Sequence, residues 1–252
     1  VGFSLTDIRP EGAVISTTHG KAMGPIGVLK WLSAGGKMIT QGGKRDGAHM
    51  GILSVYHPDI EKFITCKQEE GQIDNFNISI GADSNFMEAV EKKWHIHLSW
   101  PIDNKIYGPD WKDWKGNYSQ GDGSQFVRAD ELFEKIVKNA WLNGEPGMVW
   151  LDTINKDNAT PSLGEIKATN PCSEQPLLSN ESCTLGSIDV SKLVIIGGFD
   201  FDAFGHIIAL AIRFLDNIID VNLHPTEKTK LMNLTTRKIG LGIMGFADLL
   251  VK

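Results

Sequence analysis

Apolar residues recur at helical spacing in several well-separated stretches of the chain. Ile26, Leu29, Trp31 and Leu32 lie on or near one face of a helix that begins about Pro25, an acceptable first-turn residue. Phe86, Met87 and Val90 follow Asp83 or Ser84, either of which suits a helix cap. Leu132, Phe133, Ile136, Val137, Ala140 and Trp141 mark an amphipathic helix closed by Asn143-Gly144. Phe204, Ile207, Ile208, Ala211, Leu215, Ile218 and Ile219 predict a long helix over 202–221, and Pro225-Thr226 opens another. Between these lie short apolar runs that read as strands, at 1–7, 52–56, 75–80, 148–151 and 183–190. A further short helix is predicted from His57-Pro58 through Ile64. The alternation makes this an α/β chain, as one large domain or two smaller ones.

The pattern breaks over 93–125, where Trp94, Trp100, Trp111 and Trp114 sit among Gly, Asp, Asn and Lys. This reads as a hairpin excursion. His95 and His97 share one side of its first strand, but no third metal ligand accompanies them, and a surface hairpin is the better reading.

Composition narrows the function classes without choosing one. The 252 residues are 41% hydrophobic and 22% charged, ordinary for a protein with a real core. A net charge of −6 argues against a surface that coats nucleic acid. There is no bilayer-spanning apolar run or signal peptide, and three cysteines without a framework pattern fit a reducing compartment, so a cytoplasmic location is expected. The chain opens without Met and stops inside an apolar helical pattern, so a longer protein is expected around it.

The candidate chemistry concentrates in Asn170-Pro171-Cys172-Ser173-Glu174-Gln175-Pro176-Leu177-Leu178, followed by Glu181-Ser182-Cys183-Thr184-Leu185-Gly186-Ser187-Ile188. Asn170, Cys172 and Glu174 alternate, so an extended or tightly looped backbone turns amide, thiol and carboxylate toward one ligand. Pro171 and Pro176 restrict the backbone around them. The set suits chemistry on a polyol: the amide holds a hydroxyl, the carboxylate takes its proton, and sulfur performs the hard step. A second thiol, Cys183, is available to donate electrons by closing a disulfide. Taken alone, a cysteine is more often a small core hydrophobe. A zinc site is a poor alternative, because Cys172 and Cys183 lack the close pairing such sites use.

Those two motifs resemble the active-site loop of the ribonucleotide reductase large subunit, most closely its adenosylcobalamin-dependent (class II) branch. The resemblance runs along essentially the whole chain apart from the tryptophan-rich section. It implies part of a ten-stranded α/β barrel with a central finger loop, reducing ribonucleotides, diphosphates by overall resemblance, at the 2′ carbon. It implies Cys172 as the thiyl radical that takes the 3′ hydrogen, Glu174 as base on the 3′ hydroxyl, and Asn170 as the residue orienting the sugar hydroxyls. Cys183 and a partner cysteine would supply the reducing equivalents, with the disulfide reopened by thioredoxin or a similar dithiol. Adenosylcobalamin is the implied cofactor, a deoxynucleotide the implied effector, and a homodimer the implied assembly, with no metal, nucleic acid or membrane.

The same resemblance assigns the polar loop 11–21, including Thr17 and Lys21, to an effector-specificity site, and Lys44 and Arg45 in Gln41-Gly42-Gly43-Lys44-Arg45-Asp46-Gly47-Ala48-His49-Met50-Gly51 to a second specificity loop. Without it, both read as solvated connections. Cys66 falls where the family places no chemistry and is expected to be structural. Gly240-Leu241-Gly242-Ile243-Met244-Gly245 matches a dinucleotide fingerprint, yet the chain ends before the acidic residue such a site needs, and the stretch looks like a barrel strand of the reductase. Relative to the family, an upstream redox cysteine, the later barrel strands with the substrate-phosphate loop, and a C-terminal cysteine pair are missing. This piece alone is therefore expected to be inactive, with an open sheet edge. Two alternatives stay open: a class I large subunit served by a radical-donating partner, and a non-catalytic nucleotide-binding module of a split reductase.

Overall fold

A computed structural model describes residues 1–39, 47–69, 71–108 and 125–252. Two units divide it, Val1–Leu177 and Leu178–Lys252. In the first, β1 (Gly2–Ser4), α1 (Gly24–Met38), β2 (His49–Ser54), α2 (Ile60–Thr65) and β3 (Phe76–Ala82) follow in order. After them come α3 (Ser84–Glu91), β4 (His95–Leu98), β5 (Ile106–Tyr107), β6 (Gln125–Arg128), α4 (Ala129–Asn143), β7 (Gly147–Trp150), α5 (Leu151–Lys156), β8 (Ala168–Thr169) and β9 (Pro176–Leu177).

Strands β1-β2-β3-β7 form one parallel sheet, with Gly2 beside Met50, Met50 beside Asn77, and Ser79 beside Gly147. Strand order follows chain order without reversal. The sheet therefore lacks the switch point of a doubly wound fold and grows in one direction, as a barrel wall does. Among the described residues the sheets are not closed, so the ten-stranded barrel is present only as mixed α/β layers and an open parallel arc. Ile52, Ile78 and Ile80 are essentially inaccessible, as expected of parallel strands covered on both faces. Leu29, Phe63, Phe86, Leu132 and Ile136 from the helices are buried with them.

Local chemistry fixes the helix ends. Asp83 caps α3 by accepting the Phe86 amide at 2.8 Å, a contact worth about 1 kcal/mol. Gly144 closes α4 in the left-handed conformation (φ 82°), with its amide on Ala140 O. Two tryptophans depart from expectation. Trp31 is 70% exposed and Trp141 is 83% exposed. Trp31 stands roughly 200° around the helix from buried Leu29, and Trp141 roughly 140° from buried Ile136, so neither shares the core face.

Strands β5-β4-β6 make a small antiparallel sheet. His97 stacks on Phe126 with centroids 4.5 Å apart and bonds Asp103 through Nδ1 at 2.9 Å. Among the described residues no cluster of three or more His, Cys, Asp or Glu could hold a metal. Trp111 and Trp114 lie outside the described residues, as do Lys44 and Arg45.

The second unit runs β10 (Thr184–Asp189), β11 (Val194–Ile195), β12 (Gly198–Phe199), α6 (Phe201–Val221), α7 (Glu227–Thr236), β13 (Ile239–Met244) and α8 (Phe246–Val251). β10 and β13 pair in parallel from Thr184–Ile239 to Asp189–Met244. Gly240 and Gly242 are thus ladder residues inside a strand, and they form no phosphate-binding turn. Asp200 and Thr226 cap α6 and α7. Leu215 and Ile219 of α6 are buried, while its Phe201, Leu210 and Phe214 remain exposed. Among the described residues, no helix is long and apolar enough to cross a membrane.

Candidate functional site

The thiol-bearing loop 170–175 is the tip of the β8–β9 hairpin, closed by pairing of Ala168 with Leu177 and Thr169 with Pro176. Its ends are pinned by Asn170, whose amide nitrogen donates to Gln175 O at 3.3 Å and whose Oδ1 accepts the Gln175 amide at 3.0 Å. The tip turns where Ser173 N donates to Asn170 O at 3.0 Å, and Ser173 takes a left-handed φ of 66°. Thr169 is buried below it and donates from Oγ1 to Asn170 O at 3.1 Å. The backbone is a tight turn rather than an extended run, and Asn170, Cys172 and Glu174 share its closed tip.

The hairpin rests on the amino-terminal ends of the parallel strands. Asn77, at the start of β3, donates from Nδ2 to Pro171 O at 2.8 Å. At Gly2 a Cβ would collide with the Thr169 carbonyl, so glycine is what lets β1 and the hairpin meet. Cys172 and Glu174 are exposed, while Asn170 is half-buried. Part of the Asn170 amide is already spent on holding the loop, a duty the alternation of residue types did not disclose.

A cleft of about 640 Å³ opens at the other, carboxyl ends of these strands, lined in part by Ser54, Tyr56, Asp83, Asp152 and Lys167. Its main polar groups are already engaged: Tyr56 donates to Asp83 at 2.8 Å, Ser84 N donates to Asp152 at 2.9 Å, and Lys167 meets Asp7 at 3.3 Å. Burial, then the Asp83 charge, pushes the Tyr56 phenol well above its ordinary range. None of the residues selected from sequence lines this cleft.

Thr17 and Lys21 belong to an exposed excursion with a firm base. Glu11 N donates to Asp59 Oδ2 at 2.8 Å, Gly12 N to Ala22 O at 2.9 Å, and Val14 bridges Lys21. His57 braces the same base from its buried position, with Nε2 bonded to Ile8 O at 2.9 Å and Nδ1 accepting Asp59 N at 3.0 Å. Burial lowers its pKa, so the ring is neutral and Nε2 carries the proton.

Cys183 belongs to the second unit, immediately before β10. It is half-buried. Burial raises its pKa, Lys238 opposes that rise, and Glu181 adds to it. Glu181 stood in the motif, yet nothing there revealed that it meets Lys238 across 57 positions at 2.8 Å. Asn233 Oδ1 accepts the Ser182 amide at 2.7 Å, holding the backbone just before the thiol. Cys66, packed against the first unit's core, has its thiol pushed up to about 11 by burial.

Comparison with known proteins places these features in a family. Residues 1–252 match the barrel domain of ribonucleotide reductase. A vitamin B12-dependent ribonucleoside-diphosphate reductase of Thermoplasma acidophilum is 41% identical over 253 residues, covering 100% of this chain and 31% of that protein. One from Mycobacterium tuberculosis (strain CDC 1551 / Oshkosh) is 39% identical over 250 residues, covering 99% and 34%. The ribonucleoside-diphosphate reductase subunit alpha of Chlamydia trachomatis is 31% identical over 270 residues, covering 100% and 26%. The chain thus spans about a third of the length of the B12-dependent relatives.

Proposed function

Because the chain belongs to the ribonucleotide reductase barrel-domain family, we propose that it is part of the catalytic barrel of an adenosylcobalamin-dependent ribonucleoside-diphosphate reductase. The observation that supports this reading is that Asn170, Cys172 and Glu174 all belong to the braced tip of one hairpin. The B12-dependent branch is favoured because identity is 41% and 39% to its members against 31% to the subunit alpha.

The overall change is ribonucleotide plus two thiols to deoxyribonucleotide, water and a disulfide. Cys172 sits at a hairpin tip and not in the core, where a radical-generating cofactor could not reach the sulfur. When bound, adenosylcobalamin supplies the one-electron chemistry that removes the thiol hydrogen. Cys172 then takes the 3′ hydrogen of the ribose and returns one at the end. Glu174 accepts the 3′ hydroxyl proton, which eases departure of the 2′ hydroxyl as water. Asn170, with its Oδ1 held by the loop, has Nδ2 to orient a sugar hydroxyl. Cys183 and a partner cysteine deliver two electrons and close a disulfide, and thioredoxin or a similar dithiol reopens it.

In this reading the chain contributes strands to the family's ten-stranded α/β barrel, with 170–175 as its finger loop and 93–125 as an excursion from it. Exclusion of solvent from Cys172 and Glu174 falls to parts of the longer protein. The excursion bearing Thr17 and Lys21, with Lys44 and Arg45, serves a deoxynucleotide effector in a cytoplasmic homodimer. Dithiol-driven turnover of the complete protein tests the assignment: Cys172→Ser abolishes it, and a Cys172→Ser enzyme that still turns over robustly refutes it.

A further inference from the structure

The approach to β10 contains a carboxylate that the proposed chemistry leaves without a task. The Glu181 side chain is 0% exposed. Its Oε2 accepts both the Leu178 amide and the Lys238 ammonium at 2.8 Å. Among the described residues its Oε1 is buried without a hydrogen-bond partner. Leaving a buried carboxylate half-satisfied is costly unless something else is gained by it.

The ladder brings Lys238 alongside the backbone that follows Cys183. Lys238 O accepts the Thr184 amide at 3.2 Å, and Ile239 pairs with Thr184 in the ladder, so Lys238 enters beside the residue after the thiol. Arg237, in a left-handed conformation (φ 45°), forks onto Asp216 and Asp220 and fixes that entry. Ser182, between Glu181 and Cys183, is tied to buried Asn233, which in turn bonds His224 Nδ1 at 3.2 Å. Glu181 precedes Cys183 in the same segment and its ion pair brings in Lys238 from the approach to β13, so the two opposite charges pull the thiol's pKa in opposite directions. Asp216 and Asp220, on the helix packed against β10, are occupied by Arg237.

We propose that Glu181 and Lys238 are positioning residues that set the protonation of Cys183. The ammonium favours the thiolate, the buried carboxylate favours the thiol, and their fixed pairing trims the protonation that burial already favours at Cys183. The inference rests on the redox role proposed for Cys183 and adds the device that controls it.

The test is iodoacetamide alkylation of the complete reduced protein from about pH 6 to about pH 10, followed at Cys183 by peptide mass spectrometry. The midpoint reads charge at the sulfur, and the high-pH plateau reads access to it. Glu181→Gln leaves the ammonium unopposed, lowers the midpoint, and speeds alkylation near neutral pH about tenfold. Lys238→Met raises the midpoint and slows alkylation about threefold, while Lys238→Arg stays close to the parent. Opposite midpoint shifts are the signature, because simple loosening would raise the plateau and move both variants the same way. Shifts of one sign, or unchanged midpoints, overturn the proposal. If Lys238→Met does not fold, Glu181→Gln decides: an unchanged midpoint overturns it. Dithiol-driven turnover of Cys183→Ser tests the redox reading separately, so failure of one is distinguishable from failure of the other.

Discussion

The loop 170–175 and the segment 181–184 present the same functional group in opposite settings. Cys172 stands exposed on a turn held by bonds from Thr169, Asn170 and Asn77. Cys183 is half-buried beside a charge pair whose carboxylate is wholly inaccessible. The contrast matches the two duties proposed for them. A thiol that must yield a hydrogen atom to a bulky cofactor needs access, whereas one that donates electrons through a disulfide needs control of its proton. Cys66, packed on the core with its thiol raised to about 11, has neither property and marks the inert end of the series.

The comparison can be broken most forcefully by removing each sulfur. Cys172→Ser should lower dithiol-driven turnover of the complete protein by at least about a thousandfold, since no other group can carry the radical. Cys183→Ser should withhold the two electrons, so rapid-quench analysis finds no deoxyribonucleotide even in a first turnover and steady-state reduction falls by about a hundredfold, while exchange of the substrate 3′ hydrogen, which needs only Cys172, persists. Loss of that exchange in Cys183→Ser would merge the two duties.

Cys66 sharpens the contrast through stability. Its folded pKa is raised from 9.0 to about 11 by burial, so its contribution is fully present below pH 9.0 and is lost as pH rises through about 11. Denaturant titrations should show the parent losing about 2 kcal/mol more than Cys66→Ala across that window. The smallest effect belongs to the brace: Asn77→Ala should cost about 1 kcal/mol and increase amide exchange in the hairpin, without altering the Cys183 alkylation midpoint.

Much of this was legible in the chain. Helix α6 and the cap at Asp83 appear where periodicity and capping chemistry put them. The rejected dinucleotide motif proves to be a strand, because Gly240 and Gly242 pair in register with Leu185 and Ser187. Trp31 and Trp141 were read onto apolar faces because hydrophobicity was counted without the rotation between neighbours; both stand well away from the buried stripe. The loop motif named three residues for chemistry but hid the structural share of Asn170, since its bond to Gln175 exists only once the turn closes. The Glu181–Lys238 pair was invisible for a different reason. Its members are 57 positions apart and meet only through the β10–β13 ladder, which no local pattern encodes.

The central claim is that Cys172 bears the radical in an adenosylcobalamin-dependent reduction. The direct measurement is freeze-quench electron paramagnetic resonance of the complete protein with adenosylcobalamin, a ribonucleoside diphosphate and a deoxynucleotide effector. The account predicts a cobalt(II) signal coupled to a nearby sulfur radical, absent from Cys172→Ala. A coupled signal that survives in Cys172→Ala, or reduction that appears only after a radical-carrying subunit is added, would contradict it.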